Sequence, residues 1–145
     1  MIRVGDAGDV ERLGALFDAY RRFYGRDGDL DAARRYVRER LDGPTRFFVD
    51  DGGGALRGFV HLLPSYDTLA MRPSWILEDL FVDPAARRSG VGEALLRFAE
   101  EFAREGGAAR MTLSTAHTNR TAQRLYERLG WMLDNDFRYY HRMLD

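Results

Sequence analysis

The chain contains no cysteine, so disulfide bridges, thiolate metal sites and a cysteine nucleophile are all excluded. It has no apolar run approaching the ~20 residues of a membrane span, and Met1-Ile-Arg-Val-Gly5 carries no apolar signal region. The default location is therefore the cytoplasm. Neither sign of charge dominates: 22 basic and 23 acidic side chains leave a formal net charge of −1, which argues against a dedicated nucleic-acid or membrane-surface protein. Three scattered histidines, His61, His117 and His141, have no metal-ligand spacing, and no metal is expected. No linker, repeat or low-complexity segment interrupts the 145 residues, which suffice for one domain with its own core.

What is present alternates between strand and helix patterns. Ile2–Val4 is β-like, and Asp6 can cap a helix whose apolar residues Val10, Leu13, Leu16, Phe17, Tyr20 and Phe23 recur at helical spacing, ending near Tyr24-Gly25. Leu30, Ala33, Val37 and Leu41 mark a second helix, stopped by Gly43-Pro44. Arg46–Asp50 and Ala55–Leu63 read as antiparallel strands, and the glycine run between them is explained better as a hairpin turn than as a phosphate loop. Gly58 inside the second strand signals a bulge or a close backbone approach. Pro64 is expected to stop that strand, with Ser65–Pro73 as a loop.

Trp75–Val82 is then a strand closed by Asp83-Pro84, and Val91, Leu95, Phe98, Ala99 and Phe102 form the stripe of a helix ended by Gly106-Gly107. Met111–Ser114 alternates as a strand. Thr118 or Asn119 can cap a last helix bearing Ala122, Leu125, Tyr126 and Leu129, closed by Gly130, and Phe137–Leu144 reads as a final strand. The sum is a mixed α/β arrangement, with parallel crossovers in the second half and a central antiparallel hairpin.

Between the strand and the third helix lies Arg87-Arg88-Ser89-Gly90-Val91-Gly92. A strand-to-helix turn presents unpaired N–H groups and the positive end of the helix dipole, two glycines admit a bulky anion to the backbone, and the arginines add charge. Gly-x-Gly also occurs where a helix merely packs tightly on a sheet. No Gly-Lys-Ser/Thr follows, so a P-loop fails; Leu95 stands where the third glycine of a dinucleotide fingerprint belongs.

Three segments together resemble the GNAT superfamily of N-acetyltransferases over nearly the whole chain. Arg87, Gly90 and Gly92 match the spacing of its acetyl-CoA signature, Val82-Asp83-Pro84 matches the end of the preceding strand, and Asn119–Trp131 is similar to Asn-x-x-Ala-x-x-Leu-Tyr-x-x-x-Gly-Phe, with Trp131 for Phe. The resemblance implies a GNAT-like mixed, splayed sheet flanked by about four helices, and acetyl-CoA as cosubstrate. It implies that backbone amides of Arg88, Ser89, Gly90, Val91 and Gly92 hold the CoA pyrophosphate, that the pantetheine arm pairs along Phe81 and Val82, and that Asn119 helps anchor it. Tyr126 would be the acid beside the thioester sulfur, although its place on the Ala122/Leu129 stripe read alone means core packing.

Transfer to a primary amine, with a pKa of ~10.4, needs a proton acceptor. Glu78 or Asp79 can serve directly or through water, and on a regular strand only one faces the site; Glu78 is favoured, and a bulge could reverse the choice. Leu77–Val82 with Ser65-Tyr66-Asp67 resembles the spermidine/spermine branch, in which Asp67 would help hold a polycationic amine beside Tyr66; Leu69 stands where that branch has Trp. Tyr20, Phe23 and Tyr24 can wall an amine pocket by cation–π contact or simply pack, with Tyr24 the better pocket residue. The expected activity is acetylation of a small-molecule amine. A peptide amine as acceptor and a non-catalytic acyl-CoA sensor are the alternatives, and Phe137–Leu144 either joins a second subunit or completes the core.

Overall fold

The computed structural model describes residues Met1–Asp145, which form two compact units, Met1–Ser114 and Thr115–Asp145. In the first, β1 (Ile2–Val4), α1 (Val10–Phe23), α2 (Leu30–Leu41), β2 (Arg46–Asp51), β3 (Leu56–Asp67), β4 (Arg72–Val82), α3 (Val91–Glu105) and β5 (Met111–Leu113) follow one another. The second contains α4 (Arg120–Arg128). The sheet order is β1-β2-β3-β4-β5, antiparallel up to β4, with β5 parallel to β4.

Aspartates start the first two helices, Asp6 through a short 3-10 turn over Ala7–Asp9 that leads into α1. Asp6 accepts the Gly8 amide at 2.8 Å while Asp9 accepts the Asp6 amide at 2.9 Å, and Asp29 caps α2 through the Ala32 amide at 3.1 Å. Asp9 does more than cap. Its buried carboxylate takes Arg3 at 2.7 and 2.9 Å, which holds its pKa below the ordinary carboxylate value and ties β1 to the start of α1.

Both sheet faces are covered, so Phe47-Phe48-Val49 is a continuous buried run rather than an alternating one. Leu13, Leu16, Val37, Phe47, Val49, Phe59 and Phe81 share one cluster under α1 and α2. Across the sheet, Phe48 meets Phe98 and Phe102 of α3, each at 5.0 Å between ring centroids. Gly58 explains how α3 comes so close: a Cβ there would lie 2.9 Å from Leu95 Cδ1, 3.0 Å from the Phe81 carbonyl and 3.1 Å from Val91 Cγ1. The register shift beside it, where Asp50 pairs with Gly58 and Asp51 with Leu56, leaves Arg57 unpaired, so both readings of this glycine hold.

Two expectations are corrected. Pro64 does not end β3, which runs on to Asp67 and pairs with β4 as far as Arg72. Strand β2 reaches only Leu62, so beyond that point β3 has a neighbour on one side alone, and a residue without an N–H is tolerated. The final strand is absent: Phe137–Leu144 joins no ladder, and Phe137, Tyr139, Tyr140, Met143 and Leu144 are all exposed. These residues have strand propensity without a partner, and propensity alone does not make a strand. They do not complete the chain's own core either.

Replacing Gly58 with Val should lower stability by about 1–3 kcal/mol, because neither the Phe81 backbone nor the buried Leu95 can give way freely. Chemical denaturation of the purified variant checks this; a change below about 0.5 kcal/mol would mean that α3 slides without cost.

Candidate active site

Strand β4 carries the site. It pairs with β3 throughout, but with β5 only from Trp75 to Leu77, so from Glu78 to Val82 its other edge has no strand beside it. This opening is the splay of the sheet, and it presents free backbone hydrogen-bonding groups to an extended ligand.

The register against β3 breaks where that opening begins. Leu77 pairs with Leu62 and Asp79 with His61, leaving Glu78 as an unpaired, bulged residue. Parity therefore reverses: Trp75 packs on Phe102 of α3 at 5.4 Å, whereas Phe81 packs on Tyr20 of α1 at 5.5 Å. The strict alternation used to separate Glu78 from Asp79 fails at this point. Both charges act on the Tyr20 phenol, whose pKa is pushed far up, first by burial and then by Asp79, with Glu78 contributing.

The two acids differ in their partners. Asp79 uses both oxygens, accepting Tyr20 Oη at 2.8 Å on Oδ1 and meeting His61 Nδ1 at 3.0 Å on Oδ2. Glu78 is exposed and makes no hydrogen bond or ion pair. Around them stand Tyr24, 51% exposed with its ring 5.1 Å from Tyr20, and Phe23, 5.2 Å from Tyr24. Sequence reading passed over His61, a lone histidine on an apolar face; the clue lies in its register opposite Asp79, which only the strand pairing reveals.

After Val82 the chain makes a short 3-10 turn over Pro84–Ala86, capped by Asp83 through the Ala85 amide at 2.8 Å. Arg88 takes φ +65° and Gly90 φ +81°, and the Ser89 hydroxyl donates to the Ala86 carbonyl. Helix α3 follows with no side-chain cap, so the amides of its first turn, beginning at Val91 and Gly92, are left for a ligand or solvent. Arg88 is exposed and has no partner, whereas Arg87 is committed: its guanidinium lies over Phe23 at 5.2 Å and Phe81 at 5.5 Å, and its Nε donates to the Val82 carbonyl at 3.1 Å. That carbonyl retains a second lone pair for a ligand.

Tyr66 and Asp67 lie at the far end of the β3–β4 hairpin, opposite Pro73 and Arg72. That is roughly 17 Å along β4 from Glu78 at ~3.3 Å per residue, so they are not part of the cluster around Tyr20. Asp67 accepts the Ala70 amide at 3.1 Å and pairs with Arg110 at 3.4 Å. In the second unit Asn119 caps α4 by accepting the Ala122 amide at 3.3 Å, and Gly130 closes it with φ +95°. Tyr126 is half-buried, its ring 6.1 Å from Trp131. No residue of α4 is fully buried.

Residues 13–131 match the model of the acetyltransferase (GNAT) family, and the chain belongs to that family. It is 36% identical over 140 residues to an uncharacterized N-acetyltransferase, YhfO of Bacillus subtilis (strain 168), covering 96% of this chain and 94% of that one. Streptothricin acetyltransferase of Streptomyces lavendulae is 37% identical over 94 residues, covering 64% of this chain and 48% of the relative. A crystal structure of a probable acetyltransferase superposes with a TM-score of 0.94 at 33% identity, over 100% of this chain and 98% of the other. AAC(6')-Iy in complex with the bisubstrate analogue CoA-S-monomethyl-acetylneamine shares the fold, with a TM-score of 0.79 at 21% identity over 99% and 98% of the two chains. The protein is thus an N-acetyltransferase of the GNAT family, whose members use acetyl-CoA, and its five-stranded mixed sheet with four helices is the GNAT fold. No helix is long and apolar enough to cross a membrane.

The raised Tyr20 pKa has a signed consequence. Its contribution to stability is complete below the ordinary tyrosine value of 10.0 and is lost as pH rises toward the folded value. Alkaline unfolding above pH ~10 should therefore be steeper for the wild type than for Tyr20→Phe, measured by denaturant midpoint against pH. Parallel curves would remove Tyr20 from the buried network.

Proposed function

We propose that the chain transfers the acetyl group of acetyl-CoA to a primary amine of a small molecule, by direct attack with both substrates bound. One observation carries the reading: the free edge of β4 begins at the unpartnered Glu78 and leads into the uncapped start of α3. The pyrophosphate is then held by amides of Arg88 to Gly92 with Arg88 as counter-charge, and the pantetheine arm runs along Phe81 and Val82. Asn119 supports that arm.

Glu78 takes the ammonium proton, directly or through water, and frees the nitrogen lone pair. Nitrogen bonds to the thioester carbon, the carbon–sulfur bond breaks, the thiolate takes the Tyr126 phenol proton, and the second amine proton, lost as the amide forms, restores that phenol. No covalent enzyme intermediate is required. Tyr24 faces the amine, with an aromatic ring suited to a cation. The streptothricin and acetylneamine in the names of two similar proteins favour small amines. Tyr66 and Asp67 would meet only the far end of a long polyamine.

Acetyl-CoA turnover across monoamines, diamines of increasing length, polyamines and a lysine peptide tests the proposal. The chain contains no lysine, so lysine self-acetylation adds no background. Small amines should be turned over, with Glu78→Gln and Tyr126→Phe each reducing kcat by about 10²–10⁴-fold. Turnover of the peptide alone would overturn the substrate class. Tight acetyl-CoA binding without turnover on any amine would mark a sensor.

A further inference from the structure

Behind Glu78 lies a chain of hydrogen bonds to which the reaction above assigns no step. His61 is 1% exposed, its ring stacked 4.0 Å from Phe47 at an interplanar angle of 3°. Its Nδ1 meets Asp79 Oδ2 at 3.0 Å and its Nε2 meets Thr45 Oγ1 at 3.0 Å, while Asp79 Oδ1 accepts the Tyr20 phenol at 2.8 Å. Thr45, His61, Asp79 and Tyr20 thus form one continuous path from the end of α2 to the wall of the amine site. A buried polar path of this kind is costly unless every member is satisfied, and here every member is.

We propose that His61 is a positioning residue for the acceptor side of the site: through Asp79 it fixes the Tyr20 phenol and the bulge that presents Glu78. The proposal rests on the N-acetyltransferase reading given above. Asp79 follows Glu78 directly and is the first residue of β4 past the bulge to regain a partner, opposite His61 itself. Anchoring its carboxylate from two sides therefore fixes the backbone on which Glu78 stands. The same anchor orients Tyr20, against whose ring Tyr24 packs. Both oxygens of Asp79 are engaged by Tyr20 and His61, whereas those of Glu78 have no partner, which separates the two duties.

The hydroxyl of Thr45 makes this separation testable. Thr45 Oγ1 lies 3.1 Å from the Arg40 carbonyl as well as 3.0 Å from His61 Nε2, so its one proton can go to either acceptor. When His61 carries its proton on Nδ1 and donates to ionised Asp79, Thr45 donates to Nε2. When the proton sits on Nε2 instead, His61 donates to Thr45, which turns its own proton to Arg40. Asp79→Asn would exploit this second arrangement: the amide oxygen still accepts from Tyr20, one amide N–H donates to Nδ1, and no polar atom of Tyr20, His61 or Thr45 is left unpaired. The substitution removes the charge and keeps the positioning.

The test compares Glu78→Gln, Asp79→Asn, His61→Phe and His61→Asn by amine kinetics against pH, acetyl-CoA affinity and imidazole ¹⁵N–¹H spectra. His61→Phe keeps the stack on Phe47 and removes both hydrogen bonds; kcat/KM for the amine should fall about 10–100-fold, through misplacement, at unchanged acetyl-CoA affinity. Asp79→Asn should lose less than about tenfold, since only charge-assisted bonds become neutral ones. Both should keep the acidic limb of the pH profile, which Glu78→Gln alone abolishes. His61→Asn, which retains a donor toward Asp79, should fall between the wild type and His61→Phe, and it serves where the phenylalanine variant does not fold. In the spectra the His61 proton should move from Nδ1 to Nε2 in Asp79→Asn.

Loss in Asp79→Asn as deep as in Glu78→Gln would make Asp79 the base and overturn the proposal. So would His61 variants with wild-type amine kinetics, or with stability and acetyl-CoA affinity falling together with activity. The expected tautomer change in an enzyme that turns over no amine would instead overturn the catalytic reading on which this one rests, while leaving the hydrogen-bond path intact.

Discussion

The site depends on one extra residue in one strand. Because Glu78 has no partner on β3, β4 changes the face it turns to each helix layer partway along its length. Before the bulge its large side chains serve α3; after it they serve α1. The same point marks where β5 stops pairing. Loss of a neighbour on one edge and a break in register on the other coincide, and a carboxylate that neither pairing constrains is left at the junction. Bulges re-aim side chains at the cost of local pairing, and here the unpaired group is the one proposed to take the amine proton.

How far this was legible in the sequence depends on the kind of constraint. Helix caps at Asp6, Asp29 and Asn119 are local chemistry, and Asp6 and Asn119 were readable as such. The turn from Asp83 to Gly92 was readable because glycines and a proline impose their conformations within a few residues. Pro64 misled because its effect depends on whether a second strand runs alongside, which is decided by where β2 ends. Phe137–Leu144 misled in the opposite sense, for a ladder needs a partner that no local pattern guarantees.

The partition of roles between Glu78 and Asp79 could not be read from a parity rule, since the rule assumes a regular strand. What separates them is the set of partners that register brings to each: His61 and Tyr20 come from β3 and α1, 18 and 59 residues away along the chain. Contacts at such separation leave no local signal. For the same reason His61 stood in the sequence only as one of three scattered histidines until its partner on the next strand was known. Local pattern offered two adjacent acids on one strand; register gives Asp79 two partners and leaves Glu78 with none.

The two ends of the proposed ligand path lie in one compact unit, and Gly58 joins them. Val91 and Leu95, in the first turns of α3, approach Gly58 so closely that a Cβ there would crowd both. Gly58 in turn pairs with Val82, the last residue of β4 before the turn. The uncapped start of α3 is thereby indexed to the strand that carries Glu78 by direct packing as well as by the turn between them. Misplacement by about 1 Å can cost 10²-fold in rate, so a site acting at two points along one extended ligand benefits from this direct seating. A glycine whose absence of side chain first explains core packing therefore also sets the spacing between the proposed phosphate grip and the proposed proton acceptor.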